Sequence, residues 1–300
     1  MGFGILAMVI VGCSWTLCGY IMDKAPKKHI YVPRLLFFGA VIAFVFSIIY
    51  GVITLNEVPT SKGLIISFVA LCVCGFVNYF QLSLMSKAMQ QGPSGIIWSI
   101  VQAGFIFPFF MGIIFFNVKL SWIMSIGFLS VITSLVLFGL TKSEKGKGKW
   151  KLLVFTAFLA TGIGQCLSNL PSYFTEYGVI SSAFRTAFWS LGLMAGSVFV
   201  HLKELKSFII SLKNDAKRIE IWQYACILQL FELIMSLCLL YRGMDALSQA
   251  GKGSIAYPIM VCSCLICFEI IALTILREKR TLLQIIALLL CLAGVVALCY

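Results

Sequence analysis

Residues 90–100 read QQGPSGIIWSI and residues 249–259 read QAGKGSIAYPI, and the two stretches correspond to each other. Each places a glutamine, a glycine, two isoleucines and an aromatic ring at the same spacing. The correspondence continues along both halves of the chain, since Phe109 falls opposite Phe268, and Arg34 and Arg185 each open the second apolar run of their half. The sequence therefore predicts an internal repeat.

The chain around these stretches is too apolar for a soluble domain. Of its 300 residues, 61% are hydrophobic and 11% are charged, and the mean hydropathy is +1.02. Soluble domains average about 45–50% apolar and about 25% charged residues. A helix that crosses a bilayer needs about 20 apolar residues. The composition therefore predicts an integral, multi-pass protein of the cell inner or plasma membrane.

Apolar runs bounded by charge, glycine or proline predict ten membrane-spanning helices. They cover residues 2–22, 35–55, 64–88, 95–118, 122–141, 152–174, 183–201, 221–242, 254–276 and 281–300. Because five spans per unit is an odd number, consecutive copies insert with opposite orientations. We therefore expect an all-α membrane protein with two inverted five-helix repeats, residues 1–141 and 152–300, joined by a basic linker at residues 142–151.

Positive charge predicts the orientation of the chain. The 23 lysines and arginines exceed the 11 acidic residues, for a net charge of +12. Eighteen of the basic residues fall in odd-numbered connections and five in even-numbered ones. Since Lys and Arg mark cytoplasmic loops, both termini are expected outside. The excess meets anionic membrane lipid in this setting, and we expect no nucleic-acid partner.

Residues 202–220 predict an amphipathic segment on the cytoplasmic membrane surface. Apolar residues share one helical face and lysines lie elsewhere, a pattern that suits lysines reaching lipid headgroups. A calmodulin-type target helix has a similar pattern. The apolar face consists of Leu202, Leu205, Ile209, Leu212 and Ile219.

Cysteine and histidine give no sign of a metal site or an enzyme. Nearly all of the 12 cysteines lie inside apolar runs, where they behave as small hydrophobic residues. Cys262, Cys264 and Cys267 spread over more than half a helical turn, so they cannot converge on one metal ion. His29 and His201 lie at span ends, and no phosphate-binding loop is present. We expect no metal, no cofactor and no enzymatic activity.

Glu232 is the strongest candidate functional residue. It lies in the middle of the eighth span, and Gln229 and Ser236 continue it as one polar stripe on a helix. Ionisable groups at membrane depth are costly and are functional candidates by default. A carboxyl group there can gain and lose a proton during a transport cycle. The alternative is a neutral Glu232 whose interhelical hydrogen bond fixes packing.

Glu269, in the ninth span, is the second candidate. It points about a quarter-turn away from the face that carries Tyr257, so it either reaches the edge of a cavity or pairs with a polar group on a neighbouring helix. Polar stripes elsewhere also have helical spacing, and amides with aromatic rings can bind hydroxyl groups and stack on ligand faces. The same amides can instead join helices. These stripes contain Asn78 and Gln81, Trp98 and Gln102, and Gln165 and Asn169.

The other charged residues are expected at the membrane surface. Asp23 and Glu278 lie at span ends, and we place the remaining acids, which include Asp215 and Asp245, in loops. Arg34 and Arg185 are expected to anchor their spans at the headgroups, with gating or anion contact as the alternative. Within the fourth span, Pro108 is expected to free a backbone carbonyl and permit a kink.

The motif residues of both halves resemble the drug/metabolite transporter superfamily in its EamA-like ten-helix form, over nearly the whole chain. Three positions depart from that pattern: Val118 replaces an acid, Cys267 a proline and Ser134 a glycine. The matching residues are Gly92, Pro108, Leu120, Ser121 and Gly127 in the first half, and Gly251, Glu278, Thr281, Gly294 and Val295 in the second.

The rhamnose–proton symporter branch is similar in loop charge. The similarity lies in the basic stretch at residues 23–28, in the pair Asn78 and Tyr79, and in the charged connection before the tenth span. Many family members are thought to keep both termini in the cytoplasm, which is opposite to the orientation that the Lys and Arg distribution predicts.

The resemblance and the polar spans together predict a secondary active transporter. We expect it to move a small polar organic metabolite, with a sugar as one candidate, by alternating access coupled to protons. An exporter of amino acids or cationic drugs fits the same fold, and a receptor or scaffold that does not transport is a remote alternative. Each half is complete, so a monomer could house the site, and a homodimer is also open.

Overall fold

The computed structural model describes residues 1–54, 60–116, 121–140, 149–174, 177 and 180–298. Residues 142–148 of the predicted linker lie outside this part, as do Val118 and Leu120 of the family motif. Within the described ranges the regular secondary structure is helical and no strand occurs.

Thirteen α-helices make up the described part of the chain. Short 3₁₀ turns precede α9 and α12 and join α4 to α5, and a π-helical segment joins α10 to α11. The helices are α1 (Gly2–Lys27), α2 (Val32–Ile53), α3 (Ser61–Met89), α4 (Ser94–Gln102), α5 (Ile106–Phe116), α6 (Trp122–Leu140), α7 (Lys149–Tyr173), α8 (Ser182–Val200), α9 (Leu205–Asp215), α10 (Ile219–Met235), α11 (Tyr241–Gln249), α12 (Ala256–Thr274) and α13 (Leu282–Leu298).

Eight helical stretches of the described chain are long and apolar enough to cross a membrane. They are α1, α2, α3, α4 with α5, α7, α8, α10 with α11, and α12 with its preceding turn. Apolar residues on the outer surfaces of these helices are widely exposed, which suits contact with lipid. The expectation of an all-α chain with many apolar spans is confirmed, while α6 and α13 are two shorter apolar helices.

Glycine allows the closest helix crossings. A Cβ atom on Gly75 of α3 would collide with the backbone carbonyl oxygen of Trp189, and one on Gly192 of α8 would collide with that of Cys72. The two backbones therefore meet directly, which is the arrangement that small residues permit between membrane helices. Other pairs that pack along each other are α3 with α7, α2 with α8, α1 with α12, and α6 with α13.

Two prolines account for breaks in helical geometry. The ring of a proline clashes with the carbonyl group four residues earlier and removes one helical hydrogen bond. Pro108 stands four residues after Gly104, and the 3₁₀ turn between α4 and α5 covers Ala103–Phe105. Pro258 stands four residues after Ser254, inside the 3₁₀ turn that precedes α12. The expected irregularity at Pro108 is therefore present as this short turn.

The predicted surface segment contains α9, which is attached to the bundle by an aromatic residue. Phe208 is buried, and its ring stacks on His201 with ring centroids 4.2 Å apart. Asp215 at the end of α9 forms an ion pair with Arg34 of α2. Leu205 and Ile209 of the predicted apolar face are exposed on the surface of the protein. Helix α9 therefore docks through Phe208 and leaves its lysines and several apolar side chains at the surface.

Candidate functional site

A cavity of about 900 Å³, its open mouth included, lies between helices from both halves of the chain. Its walls come from α1 to α4 on one side, and from α7, α8, α10 and α11 on the other, with Tyr257 of α12 between them. The cavity is therefore lined by both halves of the chain.

Nine of the eleven residues that the sequence singled out line this cavity. They come from five spans and share polar or aromatic character. Asn169 is buried on α7 next to the lining, and Glu269 lies elsewhere. The nine are Asn78, Gln81, Trp98, Gln102, Gln165, Gln229, Glu232, Ser236 and Tyr257.

Glu232 faces the cavity without a partner. The described residues offer it no hydrogen bond and no ion pair, although Gln229 and Ser236 flank it on the same wall. The other acids of the described interior all have a basic partner, in the pairs Asp23–Lys27, Asp215–Arg34, Asp245–Arg185 and Glu269–Arg280. An unpaired carboxyl group away from bulk water is costly, so Glu232 is the exceptional acid of this bundle.

The π-helical segment Ser236–Leu240 follows Glu232 immediately and extends the polar wall. A π turn takes one more residue than an α turn and is frequent at functional sites. With this change of register, Ser236, Leu240 and Tyr241 all line the cavity together with Glu232. The sequence contains no signal for the segment, and the predicted end of this span at residue 242 is seven residues short of the observed end at Gln249.

Aromatic rings form much of the remaining wall. Trp98 stacks on Phe268 with centroids 5.0 Å apart, and its indole Nε1 donates a hydrogen bond to Cys264 Sγ at 3.3 Å. Trp15 packs near Tyr257, with ring centroids 6.3 Å apart. These contacts fix the rings in place before any ligand arrives, which lowers the cost of binding.

Three glutamine amides project from three different helices. The Oε1 atoms of Gln102, Gln165 and Gln229 are buried and find no hydrogen-bond partner within the described ranges. A Cβ atom on Gly39 would lie 2.7 Å from Gln229 Cγ, so that glycine leaves room for the amide. Because each amide carries both donors and an acceptor, these groups can serve a polar ligand.

Glu269 belongs to an ion-pair network at one end of the bundle. Arg280 Nε lies 2.7 Å from Glu269 Oε1, and Arg280 Nη1 lies 2.7 Å from Glu278 Oε2. Glu278 also accepts hydrogen bonds from the backbone N–H groups of Ser94 at 2.6 Å and Gly95 at 3.1 Å. Glu269 therefore takes the second of its two expected roles, as the partner of a neighbouring polar group, and does not line the cavity.

The network favours a permanently charged Arg280. Burial alone would lower the pKa of Arg280, but the hydrogen bond and charge of Glu269, with a further contribution from Glu278, raise that pKa overall. A carboxylate at a helix N-terminus also satisfies free N–H groups there. Glu278 and Arg280 therefore tie the chain before α13 to the start of α4.

Asp23 adds further polar contacts at this same end of the bundle. Its Oδ1 accepts a hydrogen bond from Ser94 Oγ at 2.6 Å, and Lys27 Nζ lies 2.5 Å from its Oδ2. Asp23 is 1% exposed although the sequence placed it at a span end near the membrane surface. Hydrogen bonds from Ser94 to Asp23 and to Glu278 thus join three segments, namely the end of α1, the start of α4 and the chain before α13.

Arg185 forms the corresponding contact at the opposite end. Gly51 at the end of α2 lies beside Ala183 at the start of α8, which places Arg185 away from the Asp23 end. Arg185 Nη1 lies 2.9 Å from Asp245 Oδ1 and donates a hydrogen bond to Ser172 Oγ at 3.1 Å. The expected anchoring at lipid headgroups is wrong, because Arg185 is 1% exposed.

Asp245 also differs from its sequence interpretation, and Arg34 has a partner that the sequence does not indicate. Arg34 pairs with Asp215, and Asp245 lies within α11 and is buried. Asp215 and Asp245 are both expected in loops, since they fall outside the predicted spans. Their partners lie far away in the chain, so no local pattern could have indicated the pairs.

Several lining residues carry no sequence signal that separates them from ordinary apolar helix residues. Trp15, Trp189, Cys18 and Cys74 sit in spans where an aromatic ring or a thiol normally packs against lipid or a neighbouring helix. Tyr241 reaches the wall only because of the π-helical segment. A polar stripe in the sequence indicates the polar residues of a cavity wall. The apolar residues of that wall can be identified only from the tertiary structure.

Comparison with known proteins shows the fold alone. No family model matches the chain, and no curated protein matches it. A solved structure described as "Crystal structure of protein" is similar over 97% of this chain and 95% of that chain, with a TM-score of 0.60 and 12% sequence identity. At that identity the two chains share an architecture, and the similarity carries no statement about activity.

Proposed function

We propose that the protein is a secondary active transporter of a small polar organic solute, coupled to protons through Glu232. The observation that carries the proposal is the unpaired Glu232 in a cavity between the two halves of the chain. A carboxyl group without a resident partner is free to exchange a proton, and a cavity lined by both halves can open to either side in turn.

We further propose ten spans in two inverted repeats, as in the drug/metabolite transporter superfamily that the sequence resembles. The packing supports this arrangement, since α2 packs along α8 and α6 along α13, which are the pairs of equivalent helices in the two repeats. The contact of α1 with α12 has its equivalent in the contact of α7 with α4 and α5. A twofold relation between the halves produces such matched pairs.

The ion-pair networks at the two ends of the bundle suit alternating access. Arg280 with its acids joins helices at one end, and Arg185 with Asp245 joins helices at the other. In this proposal each network breaks when the cavity opens to the side of the membrane on which that network lies. The Lys and Arg distribution assigns the Arg280 end to the cytoplasm and both termini to the outside.

The test is solute counterflow into proteoliposomes that contain the full-length protein. Counterflow reports exchange in either direction, so it detects an importer and an exporter alike. The panel consists of labelled sugars, amino acids, nucleosides and amines, each with and without an imposed proton gradient. We expect flux of one class that the gradient drives.

Glu232→Gln is the decisive variant, and we expect it to keep binding-site shape while it removes the response to the gradient. Glu220→Gln is the matched control, because Glu220 lies on the same helix with a side chain 61% exposed to the outside. Flux that responds equally to the gradient in both variants would overturn the role of Glu232. Folded protein without flux of any class would overturn transport.

A further inference from the structure

The charge of the cavity is one-sided. Of the described residues that line it, Glu232 carries the only carboxyl group, and none is Lys, Arg or His. The guanidinium of Arg185 lies over the ring of Tyr241, 5.5 Å from its centroid, and is already held by Asp245. The wall therefore holds one potential negative charge and no group that neutralises it.

The aromatic wall complements this charge. Three of the six tryptophans in the chain, Trp15, Trp98 and Trp189, line the cavity. The face of an indole ring attracts cations more strongly than the rings of Tyr or Phe do, and it also covers the apolar parts of an organic ion. A carboxylate and indole rings in one cavity are a combination that suits a positively charged nitrogen.

Anionic and neutral solutes fit these observations less well. A carboxylate or phosphate on the solute would face Glu232 with no basic residue of the wall to hold it, and like charges at this depth repel strongly. With a neutral solute, the protein itself would have to keep Glu232 uncharged. Within the described chain, however, neither Gln229 nor Ser236 donates a hydrogen bond to Glu232.

We infer that the cavity takes organic solutes that carry one positive charge on nitrogen, and that the solute supplies the counter-charge that Glu232 lacks. This inference rests on the proposed function and narrows its substrate class. The charged nitrogen lies between Glu232 and an indole face, and the glutamine amides bind the polar groups of the rest of the solute.

The experiment compares solutes of equal shape and different charge. Choline and 3,3-dimethylbutan-1-ol form one pair, and phenethylammonium and phenethyl alcohol form another. Binding to purified full-length protein is measured by tryptophan fluorescence and by the shift in Tm at constant ionic strength. We expect the cation of at least one pair to bind, with at least about tenfold lower Kd than its neutral counterpart, as expected for a charge pair away from water.

Glu232→Gln is expected to remove that preference and to bring the Kd values of the two members of a pair together. Glu220→Gln, on the exposed side of the same helix, is expected to retain it. Equal binding of both members by the unchanged protein, or no Glu232-dependent binding of any cation, overturns the inference.

Failure of this inference and failure of the proposed function give different results. If counterflow shows flux of neutral solutes only, transport stands and the cationic substrate class falls. If cations bind in a Glu232-dependent way but no solute of the panel crosses the membrane, the cationic site stands and transport falls.

Discussion

Arg185 and Asp245 are 60 residues apart in the chain, yet they form an ion pair inside the helical bundle, with Nη1 2.9 Å from Oδ1. The side chain of Arg185 is 1% exposed and that of Asp245 is 12% exposed. The pair joins α8 to α11 immediately beside Tyr241, which is part of the cavity wall. Stability and the shape of the cavity therefore depend on the same contact.

Removing one partner of this pair should destabilise the fold strongly. Arg185→Met leaves Asp245 without its counter-charge, and the expected cost is about 3–5 kcal/mol, since a buried charge loses its compensation. The double variant Arg185→Met with Asp245→Leu should recover much of this loss, because two apolar groups need no partner. Thermal unfolding in detergent measures both effects.

Arg218→Met is the control for this comparison, because the ion pair between Arg218 and Glu220 is exposed. Exposed pairs contribute little to stability. A double variant as unstable as Arg185→Met alone would show that the site depends on shape, and the electrostatic explanation would be wrong.

Gly75→Ala should weaken the contact between α3 and α8. The new Cβ atom would collide with the carbonyl oxygen of Trp189, so the two backbones must separate. Overpacking of this kind costs about 1–3 kcal/mol, and the reduced Tm of the purified protein reports it. Gly2→Ala is the matched control, with no atom within 4 Å of its added Cβ. Equal Tm values for the two variants would contradict the close crossing.

Sequence periodicity predicts the polar wall well, because a helix repeats its directions in a simple way. Gln229, Glu232 and Ser236 were expected on one face, and the structure places all three on the cavity. The all-α class also follows from the length of the apolar runs, since a continuous apolar run of about 20 residues satisfies its own backbone in a membrane as a helix. These features depend on local sequence alone.

The sequence does not indicate side-chain contacts between residues that are far apart in the chain. Arg185 was expected at the membrane surface because it opens a span, and nothing near it in sequence indicates Asp245. The sequence allows Glu269 either to reach a cavity edge or to pair with a neighbouring polar group. The ion pair with Arg280, which lies in the chain before α13, shows that it pairs. A charged residue at a span end can face lipid or the interior, and only the packed neighbours distinguish these cases.

Glu278→Ala should loosen the start of α4. The variant removes the carboxylate that accepts hydrogen bonds from Ser94 and Gly95. Loss of such a cap costs about 0.5–2 kcal/mol. Hydrogen exchange of these two amides should accelerate, while a substitution at the exposed Glu204 should leave it unchanged. Unchanged exchange in Glu278→Ala would exclude Glu278 as the cap.

Cys13 and Cys267 should form a cross-link between α1 and α12. Their Sγ atoms lie 3.4 Å apart. Oxidation by copper phenanthroline, which accepts the two electrons as two thiols lose their protons, should yield a disulfide. Peptide mass spectrometry identifies the linked pair, and Cys13→Ser should abolish it. Cross-links of Cys267 to other cysteines in place of Cys13 would contradict the observed packing of these two helices.

The π-helical segment Ser236–Leu240 lets its span hold one residue more than a regular helix between Glu232 and Tyr241. An α-helix turns by about 100° for each residue, and the π turn holds one residue more than an α turn. Because the π turn takes up one extra residue, deleting one residue from Ser236–Leu240 would restore a regular helix and leave α11 on the same faces relative to α10. Straightening the segment without a deletion would instead turn Tyr241 and Asp245 by about 100° away from the cavity and from Arg185. In evolutionary terms, the span can accept a one-residue insertion at this point and change its cavity wall locally, while the contacts of α10 and α11 stay in register.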